Sequence, residues 1–538
     1  MSEKNLRIFV AFGILFALFL YGLSTQLAQM LPIKSSEEGL LGGPVPGLTR
    51  WQLAKFDEGR ALFRKKFAVS EGLGPLYNAA SCAECHGGMG TTGGAALNLQ
   101  AGSITLFAKR KQGVTPEAKP TPGTVNQSDS SGKIAPLSWS NSKSKASNGA
   151  ESVLPVAAHK QKSLSAAEIK VVSAAGKIKI NSSSVAAPLA PIIKASELDL
   201  MQGQGGPLLL RKSITESPDS KIAATCKMEP LKSIPAAAEF HSTRYAGPLY
   251  GLGFIDSIQP QILRYYASQQ EIHSKGIHGK VANLKDEVSA YDSVGKFGDK
   301  AQMSSLLEFI ASEMASQLGI SNQLIRHTLT TNKPDNLPDC LKASLPADPN
   351  DEGKDLCKIH FYLQTLAPPA RATITPEARK GEELFERMNC AVCHLPSMKT
   401  APKIMVMNPD GAFLKMEELP SPKANRQGPL KIVEQPTFFE VRALENKSFA
   451  PYSDFLLHDM GEALADPIAS CGNSTERDWR TPALWGLRFR TLYLHDGRAN
   501  NLTKAISLHS GEAAKSAEAF AKLSETEKNE LLAFLNSL

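Results

Sequence analysis

Two five-residue stretches constrain this chain more than anything else in it. Residues 81–88 read SCAECHGG and residues 389–396 read NCAVCHLP, so Cys-x-x-Cys-His occurs at Cys82–His86 and again at Cys390–His394. A Cys-x-x-Cys pair alone suits half a zinc site, a redox dithiol or a haem attachment. Zinc needs a second ligand pair at short spacing, and none follows either copy. A redox dithiol belongs in a strand–helix–strand setting, whereas both motifs follow residues of helical pattern. The histidine selects the third chemistry. Two thiols add to the two vinyl groups of a haem, and one helical turn presents the next imidazole to the iron. Cys82, Cys85 and His86 are therefore expected to hold one covalent haem c, and Cys390, Cys393 and His394 a second.

The flanks repeat as well. GRALF (Gly59 to Phe63) precedes the first motif and GEELF (Gly381 to Phe385) the second. YLQTL (Tyr362 to Leu366) closes the first half and FLNSL (Phe534 to Leu538) closes the chain. Ser524 with Glu527 three residues on is a capping box, and Leu531, Leu532, Phe534, Leu535 and Leu538 form an apolar stripe behind it. The pattern predicts a mainly α protein of two cytochrome c-like haem domains, at 50–370 and 371–538. Residues 108 to 200 break from it: they are rich in Ser, Lys and Ala and hold one aromatic, Trp139. Such a segment buries little apolar surface and reads as an insertion in the first domain. Within it, EIKVVSAAGKIKINSSSV (168–185) alternates around a glycine and suggests a β-hairpin.

The N-terminus sets the compartment. Lys4 and Arg7 precede an apolar run from Ile8 to Leu23, so residues 1–34 read as a signal peptide or an inner-membrane anchor, with a periplasmic body. The 538 residues carry a formal charge of +7, but no nucleic-acid motif accompanies it. Besides the motif thiols there are Cys226, Cys340, Cys357 and Cys471, an even number suited to an oxidising compartment. Cys340 and Cys357 are near enough in sequence to close a loop.

A second strong protein ligand on an iron makes an electron carrier, and an open position permits peroxide or oxygen chemistry. Two regions are dense in candidate ligands: PYSDFLLHDMGEALAD with His458 and Met460, and YLHDGRANNLTKAISLHSGEA with His495 and His509. The second resembles the Tyr-Phe-His-Asp-Gly segment of bacterial dihaem cytochrome c peroxidases and of the dihaem enzyme that matures methylamine dehydrogenase. GLGPLYNAASCAECHGG, GPLYGLGFIDSI, LFERMNCAVCHLP and WRTPALWGL extend the likeness, and from about residue 55 onward the chain resembles the dihaem c-type oxidoreductase family. In those relatives a Met or Tyr fourteen residues after the His-Asp-Gly histidine ligates the C-terminal haem, and that count from His495 lands on His509. The resemblance thus implies His394 and His509 on the second iron, and imidazole in place of thioether lowers its potential. His495 is expected to support a haem or its propionates by hydrogen bonding. The displaceable His of the peroxidases has no counterpart in GGMGTTGGAALNLQAG, so the first iron is either five-coordinate or ligated from afar by Met460 or His458. Met460 is also the alternative ligand of the second haem. GKFGDKA (Gly295 to Ala301) departs from the Arg and Trp usual in the family and is given no role.

The expected function is peroxide reduction at the N-terminal haem, with electrons relayed through the C-terminal haem from a small cytochrome or cupredoxin-type donor. Breaking the O–O bond needs a proton relay, for which His458, Asp459 and Glu462 are the candidates. Trp485 is a candidate bridge between the haems. Calcium is carried as a further possible cofactor. A dihaem electron carrier and a dihaem oxygenase are the competing functions, and the ligation of the first iron separates them.

Overall fold

The computed structural model describes residues 31–87, 103–111, 198–199, 208–216, 226–326 and 338–538, with breaks at 34, 37–39, 275, 286–291, 343–349, 411–414, 419–429, 435–436, 467 and 469–472. The chain divides into one unit of Met1–Thr115 with Ile193–Leu538 and another of Pro116–Ile192. The second unit, the hairpin expected at 168–185, the apolar run at 8–23 and Cys471 lie outside the described residues.

The repeat in the sequence is a repeat of contacts. Helix α1 (Arg50–Arg64) starts on a capping box in which Thr49 accepts from Gln52 N–H and the Gln52 side chain returns the bond. It packs on α5 (Lys354–Gln364), and the two helices form one unit. A Cβ on Gly59 would strike the Lys358 carbonyl and stand 2.6 Å from Tyr362 Cβ, so only glycine lets the helices meet this closely. The second pair is α6 (Pro376–Arg387) on α10 (Glu525–Ser537). There Gly381 meets the Glu530 carbonyl, and its Cβ would lie 2.8 Å from Phe534 Cβ. Lys358 to Tyr362 and Glu530 to Phe534 are the same helical step. The Phe of each Gly-x-x-Leu-Phe then packs on the closing helix: Phe63 lies 5.5 Å from Tyr362, and Phe385 5.1 Å from Phe534, between ring centroids. Burying each of these rings contributes about 1.5–3 kcal/mol. The capping box at Ser524 and Glu527 opens α10, and Leu531, Phe534, Leu535 and Leu538 are buried behind it.

The mainly α expectation is corrected. Helix accounts for 39% and strand for 16% of the described residues, the strands lying in seven small sheets. Most of the strands are short, such as Leu76–Tyr77 against Lys212–Ser213, so alternation seldom runs long enough to register as a sequence pattern. The one three-stranded sheet has β1 (Ser103–Arg110) at its centre, between β2 (Leu198–Asp199) and β3 (Phe240–Tyr245). Ordered strand thus occupies both margins of the stretch read as an insertion. Near the C-terminus, β4 (Leu457–Asp459) pairs with β5 (Asp478–Arg480), setting His458 opposite Trp479.

Two hydrophobic cores result. The larger runs from Val45 to Trp485 and includes Phe63, Tyr362, Val406 and Phe449, so it crosses residue 370. The smaller gathers Phe385, Tyr452, Leu487, Phe520 and Phe534. Cys340 is bonded to Cys226 and not to Cys357, whose buried thiol instead contacts Met407 Sδ at 3.0 Å.

Candidate haem sites

Each motif is a short helix set against one of the repeated helix pairs. α2 (Cys82–His86) is capped by Ser81, which accepts from Glu84 N–H at 3.3 Å. α7 (Cys390–Cys393) starts from Asn389 in the left-handed region, and His394 N–H closes its turn on the Cys390 carbonyl at 2.9 Å. Phe63 and Phe385 bring the imidazoles into register with their helix pairs: His86 is 6.4 Å from Phe63 at 51°, and His394 is 6.1 Å from Phe385 at 53°. Burial pushes the thiols up, Cys82 and Cys390 to about 12 and Cys85 to about 11, so they are neutral. Neutral thiols unbonded to each other suit neither a thiolate metal site nor a poised redox dithiol.

All six motif residues line one cavity of about 510 Å³ with largely aliphatic and aromatic walls. Its polar features fit haem. Arg480 and Arg490 line it, and burial pushes both guanidiniums down. Among the described residues Arg480 donates to the backbone carbonyls of Gly298 at 2.9 Å and Thr481 at 3.3 Å, and Arg490 Nε finds no partner. Among the described residues neither desolvated cation is ion-paired, although Asp299 acts on both electrostatically, and such a wall suits a ligand that brings its own carboxylates, as haem propionates do. Both motif histidines are held down to about 4 by burial, which keeps them as neutral ligands.

The imidazoles differ in their orientation. His394 Nδ1–H donates to the Tyr452 carbonyl at 2.9 Å, which leaves the Nε2 lone pair for a metal. His509, just beyond α8 (Leu502–Ser507), does the same through Nδ1–H to the Ala505 carbonyl at 2.8 Å, and its ring also lines the cavity. Burial lowers its pKa, and both rings line the same cavity. His394 and His509, the pair that the resemblance implies as ligands, thus each keep an Nε2 lone pair uncommitted to these backbone bonds. His86 Nδ1 is buried without a well-formed bond, although the Gly247 carbonyl faces the ring and offsets part of the burial effect.

The other expected residues are dispersed. His458 lines the cavity but is not available as a ligand: Nε2–H donates to Asp454 at 2.9 Å and Nδ1–H to Glu512 at 2.7 Å. Those carboxylates hold its pKa well above the usual range despite burial. Asp459 is ion-paired with Arg477, and Glu462 is exposed on a 3-10 turn; neither lines the cavity, so the three do not assemble as a relay. Met460 does line it. His495 lines it too, stacked on Trp479 at 3.7 Å and 15°. Trp485 is buried and also lines the cavity, which both motifs share. Among the described residues the one convergence of metal-ligating types is Cys393, Asp454 and His458, a set unsuited to calcium.

Sequence reading missed Glu313. It ends α4 (Leu306–Glu313), where a single turn of π-helix, Met314–Leu318, follows. Leu306, Ile310 and Met314 are buried along the same face, so an acid on an apolar stripe was the available signal. Glu313 lines the cavity and acts electrostatically on Cys82 and Cys85, placing it by the first motif. Burial, with a smaller push from Asp299, raises its pKa to about 7, while a hydrogen bond from Gln317 pulls the other way. The stretch Gly295–Ala301, given no role from sequence, supplies Asp299 to the cavity wall and Lys300, whose Nζ sits 4.1 Å over Trp479.

No curated protein matches the chain. The family described as "Di-haem oxidoreductase, putative peroxidase" matches residues 204–413 and 432–538, more than half of the sequence, and the chain belongs to that family.

Proposed function

We propose that the chain is an exported dihaem c-type oxidoreductase that reduces hydrogen peroxide at a haem held by Cys82, Cys85 and His86. A second haem would be held by Cys390, Cys393, His394 and His509, and would supply one-electron storage and transfer toward that site. When bound, these groups would supply the one-electron redox chemistry that peroxide reduction needs. The protein's part is proton handling. The observation that carries the proposal is Glu313, a carboxyl poised near neutrality in the cavity wall by the first motif. Ionised, it accepts the proton from the bound peroxide; protonated, it delivers that proton to the departing oxygen as water forms. Gln317 orients it through the turn of π-helix, and its own Oε1 accepts from Asn78 Nδ2–H at 3.0 Å, just ahead of Cys82.

The unequal walls support unequal roles for the two haems. His509 offers the second motif a free imidazole nitrogen. Of the other cavity histidines, His458 has both nitrogens committed and His495 is stacked on Trp479. Trp485, buried in the wall the motifs share, is the proposed bridge for electrons. Export accords with the Cys226–Cys340 disulfide, which belongs to an oxidising compartment. A periplasmic location, a tether at residues 8–23 and a small cytochrome or cupredoxin-type donor complete the proposal. No described helix is long and apolar enough to cross a membrane.

The test combines a pyridine haemochrome count with EPR and stopped-flow mixing. Two haems per chain, one high-spin iron in the half-reduced protein, and peroxide turnover with a reduced donor are expected. Two low-spin irons in every redox state and no peroxide response would leave an electron carrier.

A further inference from the structure

His458 belongs to a buried charge cluster that the proposed reaction does not use. Its two ring nitrogens lie between two carboxylates, Asp454 at 2.9 Å and Glu512 at 2.7 Å, so both must carry protons and the ring is an imidazolium. Asp454 is fully buried and fully committed: Oδ2 also accepts from Gln270 Nε2–H at 2.7 Å, and Oδ1 from Leu456 N–H at 3.0 Å. Glu512 accepts in addition from the backbone N–H of His278, at 3.0 Å. Both oxygens of each carboxyl accept, Glu512 Oε1 from the Asp459 N–H at 3.4 Å, so the three groups together carry one surplus negative charge, with the buried Arg480 guanidinium the cation that acts on Asp454.

The cluster spans the second motif. His458 Nδ1 is 3.7 Å from Cys393 Sγ, the sulfur next to His394. Gln270, on α3 (Pro260–His273), donates both to Asp454 and to the Val392 carbonyl inside the motif at 2.9 Å. Glu512 opens the turn that follows His509. The packing excludes anything larger than hydrogen at Gly279, where a Cβ would stand 2.6 Å from His458 Cε1. One imidazolium thus ties the motif helix to the segment that follows His509, with His458 and Asp454 buried and Glu512 at the cluster's outer edge.

We propose that Asp454, His458 and Glu512 form a carboxylate–imidazolium–carboxylate bridge that tunes the second haem, its surplus negative charge lowering that haem's reduction potential. The bridge rests on the second motif holding a haem, and acts through the field it applies to the iron and the hydrogen bond it offers the Cys393 sulfur. These residues position and tune; they are not placed in contact with substrate.

The experiment is a spectroelectrochemical titration of the full-length dihaem protein with Glu512→Gln and Asp454→Asn variants, after a haemochrome count. Each neutral variant should raise the second haem's midpoint. At the wild-type midpoint, the ratio of reduced to oxidised second haem should rise about tenfold, or about 59 mV for one electron. That is the size expected of one charge acting through a protein interior at haem-pocket range. The low-spin spectrum should be retained, which separates tuning from loss of a ligand. His458→Gln strands two carboxylates and must not raise the midpoint. A ratio within about twofold of wild type in both carboxylate variants would overturn the proposal, as would a fall in either or a rise in His458→Gln. If Asp454→Asn fails to fold, Glu512→Gln decides alone, since Glu512 sits nearer the surface. A wild-type count of fewer than two haems would instead remove the reading beneath.

Discussion

Replacing Glu313 by Gln is the sharpest test of the proposed chemistry, because it moves activity and stability in opposite directions. Glutamine keeps the shape and loses the proton. General acid–base catalysis of this kind is worth about 10²–10⁴ in rate, or about 2.7–5.4 kcal/mol of barrier. The peroxide kcat/KM should fall by that factor, with the haem count unchanged. The wild-type pH profile follows from the cause of the shift. Burial disfavours the carboxylate and raises the pKa to about 7, so the base form is about one tenth populated at pH 6 and about nine tenths at pH 8. The wild-type rate should rise about tenfold across that interval, and the Gln variant should lose the limb. Stability runs the other way. The folded pKa lies above the ordinary 4.5, so the group favours the fold when protonated and withdraws that support as pH rises from about 4.5 through 7. At pH 8 the Gln variant should therefore be the more stable, by at most about 3 kcal/mol. Stopped-flow peroxide kinetics and urea unfolding from pH 6 to 8 read both. A Gln variant within threefold of wild type that kept the pH limb would refute the assignment.

Further outcomes follow from other contacts. His509→Ala should convert the second haem from low to high spin in EPR, and His509→Met should keep it six-coordinate while raising its potential. Gly59→Ala and Gly381→Ala drive a methyl into a facing helix carbonyl and should each cost about 1–3 kcal/mol in unfolding free energy. The same substitution at exposed Gly247, where a Cβ meets nothing within 4 Å, should leave stability nearly unchanged. Cys226→Ser with Cys340→Ser should destabilise by about 2–5 kcal/mol in chemical denaturation.

What was legible in the sequence is what is local. The Ser524–Glu527 capping box, the α10 stripe and the two Gly-x-x-Leu-Phe helices each occupy a few consecutive residues, and their patterns are helical signals at full length. The ribbons were not legible, because strands of two or three residues carry no period. Neither was the disposition of PYSDFLLHDMGEALAD. From sequence, His458, Asp459 and Glu462 look like one polar cluster. In the fold, β4 turns His458 inward between Asp454 and Glu512, while Asp459 faces Arg477 and Glu462 faces solvent. Alternation along an extended strand separates neighbours, and partners from distant segments decide which one matters. Glu313 was hidden for the converse reason: its meaning comes from Cys82 and Cys85, which are remote in the chain.

The repeated parts and the unrepeated parts divide the labour between them. Glycine at a helix crossing, phenylalanine on the closing helix and phenylalanine against the motif imidazole recur almost contact for contact, so the two attachment sides are built alike. The cavity walls do not recur. The first motif shares its surroundings with a carboxyl near neutrality on a helix interrupted by a π-turn; the second has an imidazole with a free Nε2 and a buried ion bridge. A carboxyl that exchanges protons is useful only beside a position where a substrate binds, whereas a second imidazole closes such a position. On the proposed roles, two copies of one scaffold carry different chemistry without any change to the helices that hold them, and Glu313 and His509 are the residues whose exchange tests that division.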